Sequence, residues 1–132
     1  MNWIVANIKW IMLVAGVLTS TMLYAAIASQ ASLRSTFGEA LEGPLAEIVV
    51  RNWGALIALV GAMLVYGSFH PPVRALVLAV AGLSKLIFIG LVLAHGRHYL
   101  GYQAGTAILV DLAMVALFTA YLVGVRRARV TA

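Results

Sequence analysis

Two ionisable side chains sit deep in apolar surroundings, and they carry opposite charge. Lys85 interrupts GLSKLIFIG and Asp111 interrupts AILVDLAMV. An ammonium at the centre of a lipid-embedded helix costs about 2.5–3.5 kcal/mol on insertion scales, so it calls for a partner. Lys85 and Asp111 lie thirteen residues before and after His98, which stands in a turn-rich connection, HGRHYLGYQAG. Equal distance from the turn of a helical hairpin means equal depth, so the two are expected to meet as an ion pair or charge-assisted hydrogen bond. Ser84, adjacent in sequence, points about 100° away and is the poorer second partner. Two readings of the pair stay open. It locks two helices in register, or one member changes protonation or binds a solute in a transport or proton-relay cycle.

Two further groups have spacings with chemical content. Glu47 and Arg51 are four apart, acid before base, the favoured order for an ion pair on a helix. Together with Asn52 they form a second candidate site, for an anion or a lipid headgroup; the plainer reading is a staple at a helix end. His95 and His98 are three apart and within reach of Glu39, Glu42 and Glu47. Histidine with carboxylate is a divalent-metal donor set, but Gly96 and the turn make a shared helical face doubtful. No metal and no cofactor is expected, with His95 and His98 the weak candidates.

The elements that must position these groups follow from composition. Of 132 residues, 64% are hydrophobic and 10% charged, with mean hydropathy +1.03. Such a chain belongs in a lipid bilayer, and at about 20 residues per helical crossing four crossings nearly exhaust it. The net charge of +5 does not point to nucleic acid, because the basic residues are scattered apart from Arg126, Arg127 and Arg129 after the last apolar segment. Absence of cysteine excludes thiol redox chemistry and disulfides.

Four apolar segments stand out, 8–28, 48–69, 75–94 and 104–125. An all-α integral membrane four-helix bundle in one domain is expected, since a spanning segment must satisfy its own backbone groups. In the first segment Ala26 and Ala28 mimic a signal-peptide cleavage site, but the apolar stretch is too long for one, and it is read as a span. Gly43 and Pro44 suit the start of the second span, and His70-Pro71-Pro72 its end. Between the first two spans, Thr36 and Glu39 fit a capping box, and Phe37, Leu41 and Leu45 share a helical face. This predicts a short amphipathic helix on the membrane, with an irregular loop as the alternative. Lys9, Arg74, Arg126, Arg127 and Arg129 outnumber Arg34, Arg51 and Arg97 at the other end, which places both termini in the cytoplasm. Trp3, Trp10, Tyr66 and Tyr121 are expected at that surface, and Tyr24, Trp53, Tyr99 and Tyr102 at the outer one. Gly54, Ala58 and Ala62, and Ala116, Ala120 and Gly124, recur every four residues and mark close helix contacts.

VVRNWGALIALVGAMLVYG followed by PPVRALVLAVAGLSK resembles the superfamily of small DoxX-like four-helix membrane proteins. The resemblance covers the second and third spans. It implies a four-helix bundle and, in some cases, an accessory subunit of a redox complex; no catalytic residue is carried over. Small drug exporters, by contrast, carry a glutamate in their first helix, and this chain has none there. A non-enzymatic accessory or self-associating subunit is expected first, as a homo-oligomer or within a larger membrane complex. A solute or proton-linked transporter using Lys85 and Asp111 comes second, and a membrane enzyme acting on lipid or quinone third. The excess of arginine over lysine suggests a bacterial cytoplasmic membrane.

Overall fold

Long runs of leucine, valine, isoleucine and alanine leave the backbone no outside partner in hydrocarbon, and the chain answers with helices. A computed structural model describes residues 2–131, with side chains described over residues 3–127; Arg129 of the basic cluster has its side chain outside the latter range. Six α-helices follow in order, α1 (Asn2–Ser20), α2 (Leu23–Ile27), α3 (Ser29–Phe37), α4 (Pro44–Phe69), α5 (Arg74–His95) and α6 (Gln103–Thr131), with 3-10 turns at Pro71–Val73 and Arg97–Gly101. Four stretches are long and apolar enough to cross a membrane, Trp3–Ile27, Pro44–Phe69, Pro71–His95 and Gln103–Arg127. Their outward faces are apolar, with Leu45 73% and Leu109 70% exposed. This is the architecture of an integral membrane helix bundle.

The helices form an antiparallel ring. α1 packs chiefly on α4, and α5 on α6; α4–α5 and α1–α6 contacts close the circuit, leaving α1 diagonal to α5. The start of α1, the end of α6 and the α4–α5 turn lie at one end, here the termini end, and the other two connections lie at the loop end. At the termini end Ile8, Met12, Leu64, Leu78 and Phe118 are part of one buried cluster. At the loop end a smaller cluster joins Ile89, Val92 and Ile108, with Phe37 and Phe88 against it.

The first span is broken. Thr21 N–H donates to Leu18 O at 3.3 Å and Met22 N–H to Thr19 O at 3.2 Å, so the helix tightens into i to i−3 bonding. The Thr21 hydroxyl also donates to Leu18 O, at 2.5 Å, competing with the helical backbone. Three consecutive hydroxyl residues, Thr19-Ser20-Thr21, supply the cause. Ala28 then leaves helical geometry (φ −124°, ψ 69°) and turns the chain into α3.

The predicted loop helix is displaced. Helix occupies Ser29–Phe37, ends at Gly38 with φ 78°, and gives way to non-helical chain before Pro44. Thr36 therefore lies at the end of a helix and caps nothing. Ser29, Ser32 and Leu33 are buried, so α3 covers the loop end of the bundle and does not lie flat on lipid. A positive φ favours glycine at position 38, and that single residue stops the helix.

At the start of α4, Gly43 (φ 104°) precedes Pro44, with Glu47 in the first turn. At its end Arg74 donates from Nε to Gly67 O at 3.1 Å, which also accepts from His70 N–H at 3.3 Å, and from Nη2 to Ser68 O at 2.6 Å, so the arginine supplies donors to carbonyls of the last turn.

Candidate functional site

Between the two apolar clusters lies a polar layer. Lys85 Nζ is 3.0 Å from Asp111 Oδ1 and 3.2 Å from Thr19 Oγ1. The Lys85 and Asp111 side chains are 9% and 18% exposed, and Thr19 is buried. One ammonium thus joins α1, α5 and α6. Ser84 is not the second partner; Thr19 is, reached across the diagonal of the ring. At ~1.5 Å per residue Lys85 lies about 15 Å from the loop end of α5.

The layer forms the floor of a cavity of about 300 Å³, at the lower end of the volumes that hold small ligands. Leu18, Thr19, Thr21 and Met22 line it from the end of α1 and its break, Trp53, Ile57 and Val60 from α4, and Ser84, Lys85 and Phe88 from α5. Gln103, Ala107, Val110, Asp111 and Met114 of α6 and Thr36 of α3 complete the walls. The walls are mostly apolar, with a few polar groups converging near the floor and the loop end. Asp111 Oδ2, the Ser84 and Thr36 hydroxyls and the Gln103 amide have no side-chain hydrogen bond among the described residues. Polar groups facing a cavity without partners are groups that a ligand or water can satisfy.

Phe37 covers the loop end. Its ring lies 6.2 Å from Trp53 and 5.1 Å, edge-on, from Tyr99. The Tyr99 hydroxyl donates to Glu39 Oε1, and that acceptor carboxylate holds the Tyr99 phenol above its usual pKa. Trp53 is half-buried, so it serves this cover and lines the cavity, a different role from the surface anchor expected of it.

Glu47 and Arg51 are joined by Nε–Oε2 at 2.8 Å. Arg51 Nη1 also donates to Ala26 O at 2.8 Å and Ile27 O at 3.2 Å. Glu47 Oε2 accepts from Ser29 Oγ at 2.7 Å, and its Oε1 from Gln30 Nε2 at 3.3 Å. The arginine closes the carbonyl end of α2 and the glutamate holds the start of α3, so the pair splints the chain reversal. Asn52 is exposed and makes no side-chain hydrogen bond among the described residues. The three do not converge on an anion cradle.

His95 and His98 are both exposed, and the His98 ring lies against Tyr99 at 3.9 Å. Among the described residues no three His, Cys, Asp or Glu side chains gather where a metal ion could be held.

The small residues work at a different spacing from that expected. A Cβ on Gly54 would lie 2.7 Å from Ala25 Cβ and 2.8 Å from Met22 O, and one on Gly61 2.6 Å from Ser20 N and 2.8 Å from Gly16 O. Close approach of α4 to α1 and α2 thus falls on positions seven apart, Gly54 and Gly61, while Ala62 is exposed. On α6, Ala116 is exposed and Ala120 and Gly124 are half-buried.

Comparison of the chain with protein-family models, with curated proteins and with solved structures gave no match.

Proposed function

We propose that this protein is a small membrane carrier whose solute occupies the cavity against Lys85 and Asp111. The observation that carries the reading is the open hydrogen-bonding capacity around the ion pair. A pair serving only to hold two helices together would be packed over; here Asp111 and Ser84 are among the residues lining a cavity of about 300 Å³. The arrangement offers a donor, an acceptor and a hydroxyl at the end of an apolar chamber, which is how small-molecule sites fix orientation. The positive-inside balance favours a cytoplasmic membrane with both termini inside, so that the cavity lies toward the outer face.

A mass-spectrometric measurement tests this. Protein extracted gently from its own membrane is denatured, and the released small molecules are compared with those from Ala107→Phe, which fills the cavity. The wild type is expected to release a species that the variant lacks. Identical profiles would return the pair to a purely architectural role.

A second reading, an accessory or self-associating subunit, is favoured by the exposed Ala62 on α4 and Ala116 on α6, which leave room for another helix backbone to approach from outside. The DoxX-like pattern of the second and third spans agrees with either reading. Cross-linking in the native membrane separates them, because an obligate subunit yields a defined adduct and a free-standing carrier does not.

A further inference from the structure

The cavity has a side entrance, and its position defines the class of molecule that enters. Among the lining residues, the exposed ones are Leu18 and Thr21 at the end of α1 and Gln103 and Val110 on α6; on α4 and α5 every lining residue is half-buried or buried. The opening therefore lies at the seam between α1 and α6. Its origin is the break at Thr21–Met22. Beyond it α2 packs on α4 and α3, away from α6, so the first span withdraws from the last one toward the loop end. Gly54 permits that withdrawal by letting α2 come within van der Waals reach of the α4 backbone. Toward the aqueous side Phe37 packs against Trp53, which lines the chamber, and against Tyr99.

We infer that the cavity takes its ligand sideways from the bilayer, and that the ligand is an uncharged lipid-soluble alcohol or phenol with an apolar body. This rests on the proposal that the cavity binds a small molecule. The seam runs from Gln103 at the start of α6 and Thr21 down to Leu18 and Val110 within the apolar spans, and past Leu18 and Val110 an entering molecule arrives through hydrocarbon. The head chemistry follows from the floor. Lys85 and Asp111 neutralise one another, so a charged head would be buried without a counter-charge. A hydroxyl, in contrast, donates to Asp111 Oδ2 and accepts from Lys85 Nζ or Ser84 Oγ. At the ~30 Å³ that a water molecule occupies in the liquid, 300 Å³ admits a ring or a short run of chain, and not the body of a two-chain phospholipid.

The test uses the full chain in nanodiscs with a photoreactive decanol bearing a diazirine in its tail, beside the matching decanoate and decylammonium probes. Labelled peptides are read by mass spectrometry. The alcohol is expected to label the α1 end and α6 around Leu18 and Val110, about tenfold above either charged probe. Leu18→Trp and, independently, Val110→Trp narrow the seam at exposed positions and are expected to slow labelling by a similar factor. Ala107→Phe is expected to abolish it. If Ala107→Phe abolishes labelling but both tryptophan variants label at the wild-type rate, the chamber binds and the lateral entrance is wrong. Equal labelling by the charged probes overturns the head assignment. Labelling unaffected by Ala107→Phe overturns the underlying binding proposal.

Discussion

Lys85 and Thr19 stand on diagonally opposite helices, yet Nζ and Oγ1 lie 3.2 Å apart, while the same ammonium meets Asp111 at 3.0 Å. A single cation therefore ties the first span to both members of the last hairpin. Its energetic weight is measurable, because each partner can be removed separately.

Removing one charge should cost more than removing both. Asp111→Leu leaves a buried ammonium with a hydroxyl as its one remaining partner and is expected to lose about 3 kcal/mol, at the low end for a buried pair because Asp111 is partly exposed. Lys85→Met combined with Asp111→Leu should recover most of that loss. Reversible unfolding in mixed detergent, arranged as a double-mutant cycle, reads the coupling. Additive losses would mean that the two groups do not sense each other.

Thr19→Val should weaken the bundle by about 1 kcal/mol, within the range measured for hydrogen bonds between membrane helices, and Thr19→Ser should restore most of it. The same unfolding assay decides. A valine as good as threonine would show that the ammonium gains nothing from α1.

Glycines 54 and 61 should not tolerate a methyl group. Gly54→Ala and Gly61→Ala press a Cβ against backbone and are each expected to cost about 1–3 kcal/mol, as overpacking does. Gly90, whose Cβ would meet nothing within 4 Å, is the control; Gly90→Ala should be neutral or slightly stabilising because alanine favours helix. Thermal melts in detergent compare all three.

The Tyr99–Glu39 contact predicts a response to alkaline pH. The folded phenol has its pKa raised by the carboxylate that accepts its hydrogen bond. A raised folded-state value means that the contribution is complete below the ordinary tyrosine pKa and is lost as pH rises through the raised one. Tyrosinate absorbance should show one tyrosine titrating late in the wild type, and Glu39→Gln should bring it back toward the ordinary range. Protease cleavage near Gly38 should increase over the same pH interval if this contact holds α3 in place.

What was legible in the sequence follows from the range of each effect. The four spans came from composition alone, and the Lys85–Asp111 meeting from counting residues about one turn, because a hairpin with a short connection has little freedom in register. The break in the first span was harder to see. Thr19, Ser20 and Thr21 were visible as a polar triplet, but hydroxyls are tolerated in membrane helices, and what they do depends on which neighbour is near. Thr19 was not legible as a partner from charge alone, because an ammonium also donates to a neutral hydroxyl oxygen. Gly54 was legible as a close contact, whereas Gly61 was not, because the contact recurs at a spacing of seven and the small residues recur at four. The loop helix was placed too late in the chain, since the Thr36–Glu39 pair matches a cap locally while Gly38 between them ends a helix instead.

Assembly order adds a constraint on how the chain is made. Thr19 is already in the bilayer when Lys85 leaves the ribosome, but Asp111 lies 26 residues further on. The carboxylate therefore emerges from the ribosome after the ammonium does. Before the carboxylate arrives, the first span already offers the cation an oxygen, the same one it keeps in the finished fold.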